Sequence, residues 1–164
     1  VVVGGAGSDL HFSAIALEAE PTVAGRHVRE GAAQSETRSH GFFYLPQGDR
    51  RGMLGLPLTR GGRPGWRQLR ETGAEVTFLR VEGLQFRPLG SLRAEGGASQ
   101  RDDACVASCA DWYGNARPIF WRDRVFALLG YELIEGALDG DALAERAHVD
   151  FFAALRPPTA DVAR

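Results

Sequence analysis

The chain has 164 residues, enough for one domain with a sizeable core and too few for two cofactor-sized domains. Nineteen Arg against 21 Asp and Glu leave a net charge of -2, so no summed positive field draws in nucleic acid or an anionic membrane. Every basic side chain is Arg, which leaves Schiff-base and amine general-base chemistry without a residue to run on.

Hydrophobic residues make up 44% of the chain, yet no apolar run approaches the roughly 20 residues of a membrane span, so a soluble folded part is expected. Gly supplies 21 residues, near twice the usual share of roughly 7%, which favours turns over long helices. The chain opens on Val1-Val2-Val3 with neither Met nor a charged leader region and reads as a fragment or processed product.

Short apolar runs broken by Gly, Pro and Asn recur about every ten residues, the pattern of successive antiparallel strands. In chain order, strands are predicted at 1–4, 10–17, 22–28, 40–45, 53–58, 75–81, 86–93, 118–121, 124–129 and 132–138. Apolar residues on both sides of the 10–17 and 75–81 runs point to sheets covered on both faces. The polar stretch Gln47-Gly48-Asp49-Arg50-Arg51-Gly52 is predicted as a hairpin loop, and Asp123 as part of a tight turn. Two longer links, 59–72 and 95–115, are of a length usually reserved for function or mobility. Helix formers from Gly136 to Ala153, with Leu138, Leu143 and Ala147 spaced along them, predict a short helix before a strand-like His148-Val149-Asp150-Phe151-Phe152 end. Residues 1–155 are read as the folded part and 156–164 as a frayed tail.

A repeat runs through this pattern. Leu17 and Val81 end similar strands, Val28 and Leu92 end the strands that follow, and each pair is 64 residues apart. Both units then reach an aromatic strand, His40-Gly41-Phe42-Phe43-Tyr44 in one and Pro118-Ile119-Phe120-Trp121 in the other. Four strands per unit fit a propeller blade, whose sheet packs face to face on its neighbours.

Several phrases in fixed order carry a family resemblance: Arg26-His27-Val28, Ser35-Glu36, His40 before Phe42-Phe43-Tyr44, the apolar strand 53–58 and the strand 125–131. Over roughly Asp9 to Leu138 the chain resembles the C-terminal blades of bacterial and archaeal secreted proteins with a beta-propeller domain. The resemblance implies an all-β, partial propeller of about two to three four-stranded antiparallel blades cut from a larger ring. It also implies an extracytoplasmic address, whether periplasmic, cell-surface or secreted. It brings no catalytic residues and no cofactor. The insert 101–113 departs from the family's short link. The alternative is a closed sandwich with 149–152 supplying its last edge partner.

Motifs that carry chemistry are few. Gly5-x-Gly7 with Glu30 further on has part of a dinucleotide fingerprint, but Leu10 stands where the third Gly belongs, and a strand with a Gly turn is the plainer reading. A start like that of trypsin-like proteases lacks their serine and histidine contexts. Cys105 and Cys109 read as an extracytoplasmic disulfide or as two free thiols; zinc would want two more close ligands. Asp102, Asp103 and Asp111 match no calcium loop. Arg60, Arg63, Arg67 and Arg70 around Trp66, followed by Glu71 and Glu75, read as a solvated loop.

The stretch Asp111-Trp112-Tyr113-Gly114-Asn115-Ala116-Arg117 sets aromatics beside Asn, Asp and Arg, as a glycan or peptide platform does, or else packs as the local core of the insert. His40 beside Ser39 is badly placed for nucleophilic chemistry, because strand neighbours point to opposite faces; it is expected to bond a neighbouring backbone. The expectation is therefore a non-enzymatic binding or scaffold module without metal or cofactor, whose candidate contacts are Asp111, Trp112, Tyr113, Asn115, Arg117 and His40. Its partner would be a protein, peptide or glycan, together with the remaining blades of a longer chain. The rival is a propeller hydrolase acting on a sugar, lactone or peptide at the central axis, with His40, Glu36, Asp111 and Arg117 as candidates. A His-acid pair or two carboxylates sharing one pocket distinguish the rival from a binding module.

Overall fold

The computed structural model describes residues 1–35, 41–60, 74–94 and 116–151. Within them the chain is all-β: twelve strands form three antiparallel sheets. The first sheet holds β1 (Val2–Ala6), β2 (Asp9–Ala16) and β3 (Thr22–Arg29). In the second, β6 (Arg51–Arg60), β7 (Ala74–Glu82) and β8 (Gln85–Arg93) run side by side, and β4 (Ala32–Gln34) and β5 (Phe43–Gly48) pair with opposite ends of β6. The third is a meander of β9 (Ala116–Trp121), β10 (Arg124–Leu129), β11 (Glu132–Asp139) and β12 (Ala142–Asp150).

Tight hairpins connect most neighbours, as the turn residues demand. The predicted loop at 47–52 narrows to Asp49-Arg50, since Gly48 already pairs with Arg51. Asp123 sits in the two-residue turn between Trp121 and Arg124, as expected. Between β7 and β8 both turn residues have positive φ, 53° at Gly83 and 73° at Leu84, matching the twist of the flanking strands. The Leu84 carbonyl lies against Gly25 of β3, where any added Cβ would overlap it.

The second sheet is the middle layer. On β6, the eight residues from Gly52 to Thr59 are all buried, and β7 is nearly as enclosed. Strand alternation divides their side chains between two cores. Leu54, Leu56, Leu58, Leu79 and Val81 meet Leu10 and Phe12 of the first sheet. Met53, Val76, Phe78 and Leu92 meet Val125, Ala127, Leu129 and Ile134 of the third. Phe78 stands edge-on to Phe120 at 6.0 Å, and β6 comes so close to β9 that a Cβ on Gly55 would lie 2.5 Å from Pro118 Cβ.

The 64-residue repeat is visible in this stacking. Hairpin β2–β3 and hairpin β7–β8 are offset by that interval to within two residues at every strand end. Leu10, Phe12 and Ala14 point from the first sheet to the second, and their counterparts Ala74, Val76 and Phe78 point from the second to the third. Equivalent faces therefore look the same way along the stack.

Three expectations need correction. The short helix predicted within 136–153 does not form: β11 continues to Asp139, Gly140 turns at φ 60°, and β12 follows. Pairing of β12 along the open edge of β11 outweighs the helix propensity of Ala-Leu-Ala-Glu-Arg, which is worth only tenths of a kcal/mol per residue, about, in this context. Among the described residues, coverage on both faces holds for the middle sheet only. The Arg-rich link read as solvated is shorter than expected, since Arg60 completes β6, and Glu75, which opens the strand predicted at 75–81, is wholly buried in β7.

Phe78→Ala, which empties the space between the middle and third sheets, is expected to cost about 3–5 kcal/mol in chemical denaturation, whereas Val149→Ser on the exposed edge strand should change stability by no more than about 0.5 kcal/mol.

Candidate functional site

Two grooves and two buried carboxylates hold most of the chemistry among the described residues. The first groove lies between β5 and β9, the opening strands of the second and third sheets. Each bonds to a single described neighbour, β5 to β6 and β9 to β10, so two strand edges meet there without bonding each other. Its volume is about 400 Å³. Phe43 and Tyr44 line one wall and remain roughly two-fifths exposed; Ile119 and Phe120 line the other. Arg117 enters from β9, and its Nε is buried without a hydrogen-bond partner. A donor left in that state costs about 1–3 kcal/mol unless a ligand or water accepts from it.

Of the contact residues expected from sequence, Arg117 is the one the structure places, on this aromatic groove. His40, Asp111, Trp112, Tyr113 and Asn115 lie outside the described residues, as do Glu36, Cys105 and Cys109. The pairing of the two cysteines and the partner of His40 stay expectations.

A second groove, of about 520 Å³, opens between β3, the last strand of the three-stranded first sheet, and β7 and β8 of the middle sheet. Its walls include His27 and Arg29 from β3 and Thr77, Ser91 and Arg93 from the middle sheet. Beside it the carboxylate of Glu75 is wholly buried on the face turned to the first sheet. Arg29 donates to it through Nη2 at 3.0 Å and Arg93 through Nε at 2.9 Å; Arg60 Nε stands 3.9 Å away. Ser91 Oγ lies 3.4 Å from the same carboxylate. Burial, with Arg29 adding to it, holds the His27 imidazole below its ordinary pKa, so it is neutral near pH 7.

On the third sheet Glu135 is clamped by Arg124 through Nε at 2.9 Å and Nη2 at 2.6 Å, with Arg146 Nη1 at 3.3 Å. These guanidiniums keep its carboxyl below the usual range, Arg124 foremost. Arg124 also stacks on Phe126, 4.7 Å from the ring centre. The arrangement is a complete charge clamp across β10, β11 and β12. His148 Nε2 lies 3.1 Å from Glu132 and its Nδ1 3.7 Å from Glu145, the His-acid pair that an acid-base site asks for. None of these three residues lines either of the two grooves described above.

The Glu75 cluster was missed in the sequence because Arg29, Arg60, Glu75 and Arg93 come from four separate strands. One signal was present: a Glu inside the apolar run Ala74-Glu75-Val76-Thr77-Phe78, at a position whose neighbours two residues on point into a core. Comparison with known proteins adds no analogue, for the chain matches no protein-family model, no curated protein and no solved structure.

The lowered His27 pKa fixes the sign of one pH effect. The unfolded chain takes up a proton near pH 6.5 while the folded imidazole resists it, so stability is full above that pH and falls as the pH drops toward the folded value. His27→Gln is expected to flatten the loss of stability between about pH 6.5 and 5 in denaturation curves; an unchanged slope would mean the imidazole does not contribute.

Proposed function

We propose that the chain is a binding module, built as blade-like sheets from a larger ring, and that it takes an extended peptide along the groove between β5 and β9. The observation that carries this reading is the conjunction of two unpaired strand edges, exposed aromatic rings and a buried, unpartnered Arg117 Nε in one groove. Strand edges offer main-chain donors and acceptors, and an added strand satisfies them while its side chains settle on the aromatic walls. Arg117 contributes a fixed donor for a backbone carbonyl or a carboxylate.

The propeller part of the proposal is supported by the stacking. The third sheet is a four-stranded meander, the middle sheet contains one in β5–β8, and counterpart residues of the repeat face the same way. In such a stack the opening strands of successive blades stand side by side, which is where the groove lies. Rigid sheets on either side keep the ordering cost of binding low. A secreted or cell-surface address, with a protein, peptide or glycan as natural partner, follows from the family resemblance and belongs to the same proposal. Trp112 and Tyr113, a few residues before Arg117 in the chain, extend the candidate surface in sequence terms. The hydrolase reading would rest on the His148–Glu132 pair, which stands on the third sheet and lines neither the β5–β9 groove nor the groove beside Glu75.

The test is a peptide-array and glycan-array screen with the wild-type chain, followed by Tyr44→Ala and Arg117→Ala. Each substitution is expected to weaken the strongest peptide interaction by about tenfold or more with the fold intact by circular dichroism. Peptide binding that survives both changes, or a profile confined to glycans, would overturn the peptide reading.

A further inference from the structure

We propose that the groove beside Glu75 is an anion site for a doubly charged phosphoryl or sulfuryl group carried by a small molecule. This site is separate from the β5–β9 groove and does not depend on it.

The argument begins with a surplus of charge. A buried carboxylate requires compensation, and Glu135 shows how this chain supplies it, with one bidentate Arg and a second guanidinium beside it. Glu75 draws three arginines from three different strands, Arg29, Arg60 and Arg93. Two make one hydrogen bond each to it, and the third makes none. Among the described residues one negative charge stands against three positive ones in this cluster, and Glu30 at the groove wall is exposed to solvent, where its charge is screened.

Donor geometry agrees. A guanidinium carries five N–H groups and accepts nothing. Arg29 uses only Nη2 and Arg93 only Nε on Glu75, so Arg29 Nε and Nη1 and both Nη groups of Arg93 have no bond among the described residues. Both side chains line the groove, Arg29 37% and Arg93 51% exposed. Thr77 adds a hydroxyl on the same wall, while the Ser91 hydroxyl donates to Glu75. Glu75 thereby acts as an internal anchor, fixing the arginines before any ligand arrives and reducing the entropy that binding must remove. The neutral His27 on the opposite wall offers a further donor or acceptor without adding charge. Fork-shaped donors at close quarters suit the tetrahedral oxygens of phosphate and sulfate, and a groove of about 520 Å³ has room for a small organic body beyond that group.

The test is calorimetric titration of the full chain at low ionic strength with inorganic phosphate, sulfate and glucose 6-phosphate, with chloride as the control. Saturable binding of a dianion, weakened by added salt, is expected. Tighter binding of glucose 6-phosphate than of phosphate would place a sugar in the groove, while equal binding would assign the site to the free ion. Arg29→Gln and Arg93→Gln should each lower affinity about tenfold, the equivalent of one charge-assisted hydrogen bond. Arg60→Gln removes charge but no hydrogen bond to Glu75, so it should fold and show a weaker salt dependence even if the other two variants do not. Arg146→Gln, in the Glu135 clamp, and Tyr44→Ala, in the β5–β9 groove, should bind as the wild type does. The proposal falls if the wild type gives neither heat nor a rise in melting temperature at about 10 mM of all three dianions. It falls equally if folded Arg29, Arg60 and Arg93 variants bind unchanged.

Discussion

Burial of the middle sheet on both faces is the constraint on which the other features depend. A sheet with one wet face can alternate apolar and polar residues, but β6 and β7 have no wet face, so nearly every position must be apolar or have its polar atoms satisfied. The two-core arrangement follows directly. Residues of one parity lock the first sheet on, residues of the other parity lock the third, and neither outer sheet can be removed without exposing half of β6 and β7.

The same constraint explains where small residues and charges fall. At Gly25 and Gly55 neighbouring sheets approach closely enough that a single extra carbon meets backbone or proline ring. Glu75 is the one acidic residue sunk completely into the middle sheet, at the end of β7, where the first sheet stops short and guanidiniums from β3, β6 and β8 reach it while keeping contact with water. A Lys in their place would offer a more strongly hydrated point charge without the planar fork, so a chain that is basic only through Arg is well suited to such partly buried pairs. At the other interface Arg80 of β7 pairs with Asp141 in the β11–β12 turn, tying that hairpin tip to the middle sheet.

Function, on the proposals made here, is placed where the stack is incomplete. The β5–β9 groove exists because two opening strands present bare edges side by side. The groove at Glu75 exists because a three-stranded sheet covers a wider one. Both follow from unequal sheets laid on one another, and both use arginines that rise from strands rather than from loops, a rigid origin that favours defined geometry.

Most of the strand pattern was written into the sequence, because hydrophobic period and turn chemistry are local: Asp and Gly at the hairpins, β-branched and aromatic runs between them, and a 64-residue echo linking β2–β3 to β7–β8. Arg117 could be singled out for the same reason, by the aromatic company it keeps in the chain. What sequence left undecided depended on neighbours distant in the chain. The 142–150 segment has the residues of a helix and becomes a strand because β11 offers it an edge. Arg60 resembles part of a polar link and Glu75 the polar start of a strand, and they are instead one guanidinium and the buried carboxylate of a cluster, since β3 and β8 bring Arg29, Ser91 and Arg93 to the same point. Local chemistry determined which segments extend and where they turn. Only the packing of sheet on sheet decided which faces are dry, which charges meet, and where a ligand can enter, because burial and long-range ion pairing are properties of surfaces that do not exist until the chain has folded.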